Sequence, residues 1–196
     1  MAVLTLALGI GANTAVFSVI NSVVLEPLPF KDPGRLVMLW SSNPAVGIET
    51  EQVALADFFD WQQQSQVFEC MGLVVNQMAA SRNFLLQVGD VPLRIRGRYV
   101  SAAMFEVLGV RPILGRALEP SDDVQGGEKV VVLSYGLWQR AFSADPKVIG
   151  RTIDVGDSYR VVGVMPRGFG FPPDAELWMS WPASAYRARN ASRGTH

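Results

Sequence analysis

Hydrophobic residues run without a charge from Met1 to Leu25, and beyond them the chain breaks into short apolar stretches parted by Gly, Pro and polar clusters. The opening segment, MAVLTLALGIGANTAVFSVINSVVL, contains no Lys, Arg, Asp or Glu. At about 1.5 Å of rise per residue it covers roughly 36 Å as a helix, more than a hydrocarbon core of about 30 Å. A helix satisfies its backbone groups internally, as lipid requires. The pattern predicts a membrane-spanning helix stopped by Pro27 and Pro29, with Lys31-Asp32-Pro33-Gly34 as a turn at the membrane surface. A cleaved secretory signal is the competing reading; the missing charged n-region and the long apolar run weigh against it.

Small residues inside this segment recur every fourth position. Ala7, Gly11 and Ala15 form one stripe, and Thr14, Ser18 and Ser22 a neighbouring one. Such spacing lets a second helix approach closely, so the segment reads as one member of a bundle. No Lys or Arg precedes it and only Lys31 and Arg35 follow closely, so the charge rule does not set its orientation.

Past the turn, the apolar run Arg35 to Ser41 predicts a buried strand, and a polar loop follows from Ser42 to Thr50. Leu55, Phe58 and Phe59 mark the apolar face of a helix over Ala54 to Ser65. Phe68 to Ala80 returns as a strand, making a β-α-β unit. Two hairpins come next. Phe84 to Val88 turns at Gly89-Asp90 into Leu93 to Tyr99, and Arg151 to Val155 turns at Gly156-Asp157 into Tyr159 to Val164. In the first return strand Leu93, Ile95, Gly97 and Tyr99 face one way and Arg94, Arg96 and Arg98 the other. Between the hairpins, Ser101 caps a helix over Ala102 to Leu108 closed by Gly109, and Ser134 caps another over Tyr135 to Phe142. A strand from Lys129 to Leu133 feeds the second helix. Glu119 to Glu128 is an acidic loop, Arg167 to Pro173 an irregular one, and Leu177 to Trp181 a last strand. From Ser184 to His196 the chain is polar, unpatterned, and ends as if cut.

Composition narrows the class. Hydrophobic residues at 49% and charged ones at 18% describe a folded α+β lobe with a membrane-derived excess, not a disordered chain. Lys plus Arg number 17 against 18 Asp plus Glu, which leaves no basic surface for nucleic acid. Cys70 is the one cysteine and His196 the one histidine. Cys–His nucleophiles, His-based acid–base work and zinc sites built on His or Cys are thereby excluded. Asp57 and Asp60, three apart, read as a solvated helix face rather than a catalytic pair. Asp122, Asp123 and Glu128 miss the EF-hand spacing and read as a solvated loop. Gly163 and Gly168 have the gap of a phosphate-binding loop, but Phe169-Gly170 stands where Lys and Ser or Thr belong. No ATP site is encoded, and no cofactor or metal is expected in this chain. Arg94, Arg96 and Arg98 form a candidate face for an anionic partner or lipid headgroup, set against a plain wet sheet face. Trp138, Trp178, Trp181, Phe169 and Phe171 read as packing residues. Asn190-Ala191-Ser192 matches a glycosylation sequon.

Five strings occur in one order: LALGIGANTAVFSVINSVVLEPLPF with DPGRLV, RYVSAAMFEVLGVRPILGRAL, VVVLSYGLWQRAF, and DPKVIGRTIDVGDSYRVVGVMPRGFGFP. Over roughly residues 4 to 182 they resemble the amino-terminal part of MacB-type ABC transporter permeases, and more narrowly the acidobacterial duplicated orphan permeases. The resemblance implies a transmembrane helix with its exit turn over 1–29 and a mixed α/β periplasmic core domain over 30–196. Within the latter it implies a porter-like first half at about 35–82, an inserted hairpin-rich subdomain at about 83–165, and a truncated return segment over 166–196. It further implies an inner-membrane, non-enzymatic part of an efflux machine. ATP would sit on a separate cytoplasmic ABC ATPase subunit, and a second permease copy or half, a periplasmic adaptor and membrane lipid would be the partners. A membrane-anchored extracytoplasmic binding or scaffold module is the alternative reading.

Overall fold

Most of the apolar alternation after residue 96 resolves into one sheet with residues buried on both faces. The computed structural model describes residues 30–181 apart from 45–46, 52, 76–82, 89–90 and 125. The chain divides into two units, Met1–Arg35 and Leu36–His196. Of the first, residues 30–35 are described: Asp32 takes a left-handed φ of 50° and its carbonyl accepts the Arg35 N–H at 2.9 Å. The helix expected over Met1 to Leu25 lies outside the described residues. Among those described, no helix is long and apolar enough to cross a membrane.

In the second unit the strands in chain order are β1 (Ser41–Asn43), β2 (Ile48–Glu51), β3 (Val74–Val75), β4 (Phe84–Val88), β5 (Val91–Ile95), β6 (Gly97–Val100), β7 (Leu114–Gly115), β8 (Val130–Leu133), β9 (Thr152–Asp154), β10 (Ser158–Val164) and β11 (Leu177–Ser180). The helices are α1 (Leu55–Gln64), α2 (Ala103–Leu108) and α3 (Tyr135–Phe142). The described strands form a mixed seven-stranded sheet ordered β3-β6-β11-β8-β10-β7, with β9 on β10, beside the hairpins β1-β2 and β4-β5. β11 runs parallel to β6 and antiparallel to β8, while β8 and β10 are parallel across α3.

Alternation fixes what each face buries. In β11, Leu177 and Met179 join a cluster with Val131, Leu133, Leu137, Phe142, Val161 and Val164. The hairpin residues Leu86 and Ile95 complete that side. On the other face Trp178, fully buried, meets Phe105 of α2 edge-on at 6.0 Å and Phe169 at 5.1 Å. A register shift in β10 between Val161 and Gly163 moves the inward phase from Tyr159 and Val161 to Val164.

Gly163 and Gly115 face each other where β10 pairs with β7. A Cβ at Gly163 would lie 2.1 Å from the Arg116 carbonyl oxygen. Gly115, at φ 71°, would place one 2.1 Å from that of Val162. These two glycines serve close backbone approach, so Gly163 stands in a strand contact and not in a phosphate cradle.

The second hairpin forms as expected, with Ile153 opposite Tyr159, and the first pairs Leu86 with Leu93 but returns over Val91–Ile95. Several expectations need correction, in three places. Arg35 to Ser41 is no buried strand: Arg35 closes a 3-10 turn, and Val37, Met38, Leu39 and Trp40 are irregular and 65, 59, 39 and 51% exposed. An unalternating apolar run encodes burial without naming a partner, and among the described residues Leu36 to Trp40 join no sheet. The polar loop behind it is instead the β1-β2 hairpin, and the strand after α1 is reduced to Val74–Val75 among the described residues, so the β-α-β unit is not formed there. Second, the strand Leu93 to Tyr99 is two strands in two sheets, divided at Arg96. Third, Ser101 does not cap α2. Its hydroxyl accepts the Leu73 N–H at 2.9 Å.

Candidate functional site

Arg94 and Arg96 project from the outer side of the β5 stretch because Leu93 and Ile95, half-buried and buried, take the inner one. Together with Asn83, Leu93, Arg140 of α3 and Glu176 they line an open hollow of about 340 Å³. Glu176 fixes its floor. One carboxylate oxygen accepts from Arg140 Nη2 at 2.7 Å and the other from the Arg96 backbone N–H at 2.9 Å, while the Glu176 N–H donates to the Arg96 carbonyl at 2.8 Å. The Arg96 guanidinium lies 3.5 Å from Asp174 in a solvent-exposed pair. Arg98, the third arginine of the expected row, is not part of this hollow. It lies in β6, opposite Trp178 of β11, with Nη1 on the Gly97 carbonyl at 3.0 Å. The break at Arg96 ends the alternation that the sequence suggested. Arg140 and Glu176 escaped the sequence reading because they reach the hollow from 36 residues apart, with no local pattern joining them.

The acidic loop is not simply solvated. Asp122 is buried and takes a two-pronged bond from Arg116, at 2.7 and 3.0 Å, and its Oδ2 also accepts the Glu119 N–H at 2.8 Å. That bond holds the Arg116 guanidinium above its ordinary pKa. Asp123 accepts the Ala102 N–H at 2.8 Å and a backbone bond from Trp181. Burial pushes its carboxyl up to about 6, against the pull of those two bonds. Glu128 pairs with Arg160 across the same end. These carboxylates serve the scaffold, and among the described residues no three His, Cys, Asp or Glu are grouped to hold a metal ion.

Asp57 and Asp60 stand exposed on α1, opposite the buried Phe58 and Phe59. The Cys70 thiol is half-buried, and burial, then Glu106, pushes its pKa up, the opposite of an activated nucleophile. Trp178 Nε1 donates to the Phe171 carbonyl at 2.8 Å and Trp138 Nε1 to that of Asp145 at 2.9 Å, so both indoles pack as expected. Ala7, Gly11, Thr14, Ala15, Ser18, Ser22 and the Asn190 sequon fall outside the described residues.

Among the described residues the folded lobe is a mixed sheet with an arginine-lined hollow beside β5. Residues 1–195 match the MacB-like periplasmic core domain, and the chain belongs to that family. The fold is similar to the crystal structure of the periplasmic region of MacB from Actinobacillus actinomycetemcomitans, at 20% identity and a TM-score of 0.52 over 78% of this chain and 66% of that one. The extracellular domain of the noncanonic ABC-type transporter YknZ from Gram-positive bacteria matches at 12% identity and a TM-score of 0.48, covering 69% of this chain and 65% of that one. A rice protein (Oryza sativa subsp. japonica) named probable anion transporter 3, chloroplastic, is 29% identical over 171 residues, 80% of this chain. The chain spans 32% of the length of that relative and 66% of the MacB region it matches.

Proposed function

We propose that this chain is the first membrane helix and the extracytoplasmic lobe of an ABC permease, and that its task is mechanical. ATP binding and hydrolysis on a separate cytoplasmic ATPase subunit draw two permease copies or halves together. The helix over 1–29 transmits that movement to the periplasmic core domain over 30–196, which extrudes substrate from the periplasm. The division into a first half at 35–82, an insert at 83–165 and a return segment at 166–196 belongs to this reading. So do inner-membrane residence and docking of a periplasmic adaptor. Ala7, Gly11 and Ala15, with Thr14, Ser18 and Ser22, supply the close-packing face toward neighbouring spans.

The observation that carries the reading is the family match over 1–195, which takes in both the charge-free segment and the folded lobe. A sheet packed on both faces also suits force transmission, since close-packed interiors deform little. Its test is fractionation and affinity purification from cells producing the chain with an ABC ATPase of the same cell. The chain is expected to resist carbonate extraction, to be cut by protease added to spheroplasts, and to co-purify the ATPase. Recovery of the chain in the soluble fraction, or turnover of an ester, peptide or phosphate panel by the chain itself, would overturn it.

A further inference from the structure

We infer that the hollow beside β5 docks an acidic polypeptide segment of a partner protein. Arg94, Arg96 and Arg140 bring guanidinium groups to one opening from the β5 hairpin, its exit and α3. The carboxylate at its floor does not neutralise them all. Glu176 is held on two sides, by Arg140 and by the Arg96 backbone, and Asp174 meets Arg96 only in an exposed pair at 3.5 Å. Arg94 has no hydrogen-bond or ion-pair partner among the described residues, and Asn83 adds an amide at the rim.

A guanidinium presents a planar fork of donors matched to carboxylate, and it gives up its water more readily than an ammonium does. The shape of the opening selects the kind of occupant. It is open to solvent, so a small free anion there stays hydrated and gains little. A segment carrying several carboxylates engages the arginines together and gains from their proximity. Same-face residues of an extended partner repeat at about 6.6 Å, so one segment brings alternate acidic residues to the opening that Arg94 and Arg96 both line. Charge at such a rim sets encounter rate and partner choice, and salt weakens it.

This inference rests on reading the chain as a partner-bearing lobe, but its assay needs neither ATPase nor bilayer, so the two readings fail separately. Anisotropy of a fluorescent hexaglutamate peptide is followed on the full chain in nonionic detergent at low and raised salt. The wild type is expected to bind in a salt-sensitive manner. Arg94→Glu and the pair Arg94→Gln with Arg96→Gln weaken binding about tenfold, and Arg98→Gln changes it by less than about twofold. Arg94 is exposed and outside the core, so its variant folds, which an unchanged melting temperature checks. The inference is overturned if the wild type does not bind, or if Arg98→Gln weakens binding as much as the Arg94 variants. It is equally overturned if inorganic phosphate or a soluble short-chain phosphatidylglycerol displaces the peptide at equal charge concentration, naming a small anion or a headgroup instead.

Discussion

Asp123 ties two elements that are distant in sequence, taking the N–H of Ala102 at the start of α2 and that of Trp181 just past β11. Its folded pKa of about 6 lies above the ordinary value of 3.8. The native chain therefore keeps a proton that the unfolded chain has released between those values. Stability from this group is full below about pH 4 and is lost as pH rises through 6. The partial exposure that remains reduces the effect to on the order of 1 kcal/mol. Asp123→Asn, which keeps an acceptor and drops the charge, is expected to flatten the fall in melting temperature between pH 4 and 7, read by circular dichroism against the wild type. Sequence pattern exposed Arg94 and Arg96, because period-two alternation places residues on faces. It could not expose Asp123, whose role depends on backbone donors 21 and 58 positions away.

At the scale of elements, local signals succeeded where the partner is local. Ser134 caps α3 because Leu137, three residues on, donates to its hydroxyl at 3.1 Å. Gly109 ends α2 in the left-handed region at φ 65°, where glycine bears no Cβ penalty. Ser101 carries the same capping signature, yet Leu73 from another element claims its hydroxyl and Asp123 serves the helix in its place. Ser134→Ala is thus expected to cost about 1 kcal/mol in a denaturant melt, since the freed donor is buried. The hairpins were legible for the same reason, with turn and pairing inside one short window. Val37 to Trp40 misled because apolarity without alternation says nothing about neighbours.

For the whole molecule, the order of strands across the sheet was the least legible property, since it rests on contacts between segments far apart in sequence. β6 and β8 both lean on β11, and Trp178 within β11 joins α2 to the loop at Phe169. Trp178→Ala removes a fully buried ring from that junction and is expected to destabilise by about 3–5 kcal/mol, or to leave the chain unfolded, by chemical denaturation. A surface variant such as Asp57→Asn serves as the neutral control.

The central position of β11 also dictates an order of events during synthesis. Every other described strand of the sheet emerges from the ribosome before it, and until Ser180 has appeared β6 and β8 have bare edges where their shared neighbour belongs. Nascent chains paused short of Leu177 are therefore the species most in need of chaperone cover, because the joining of β6 to β8 waits on β11.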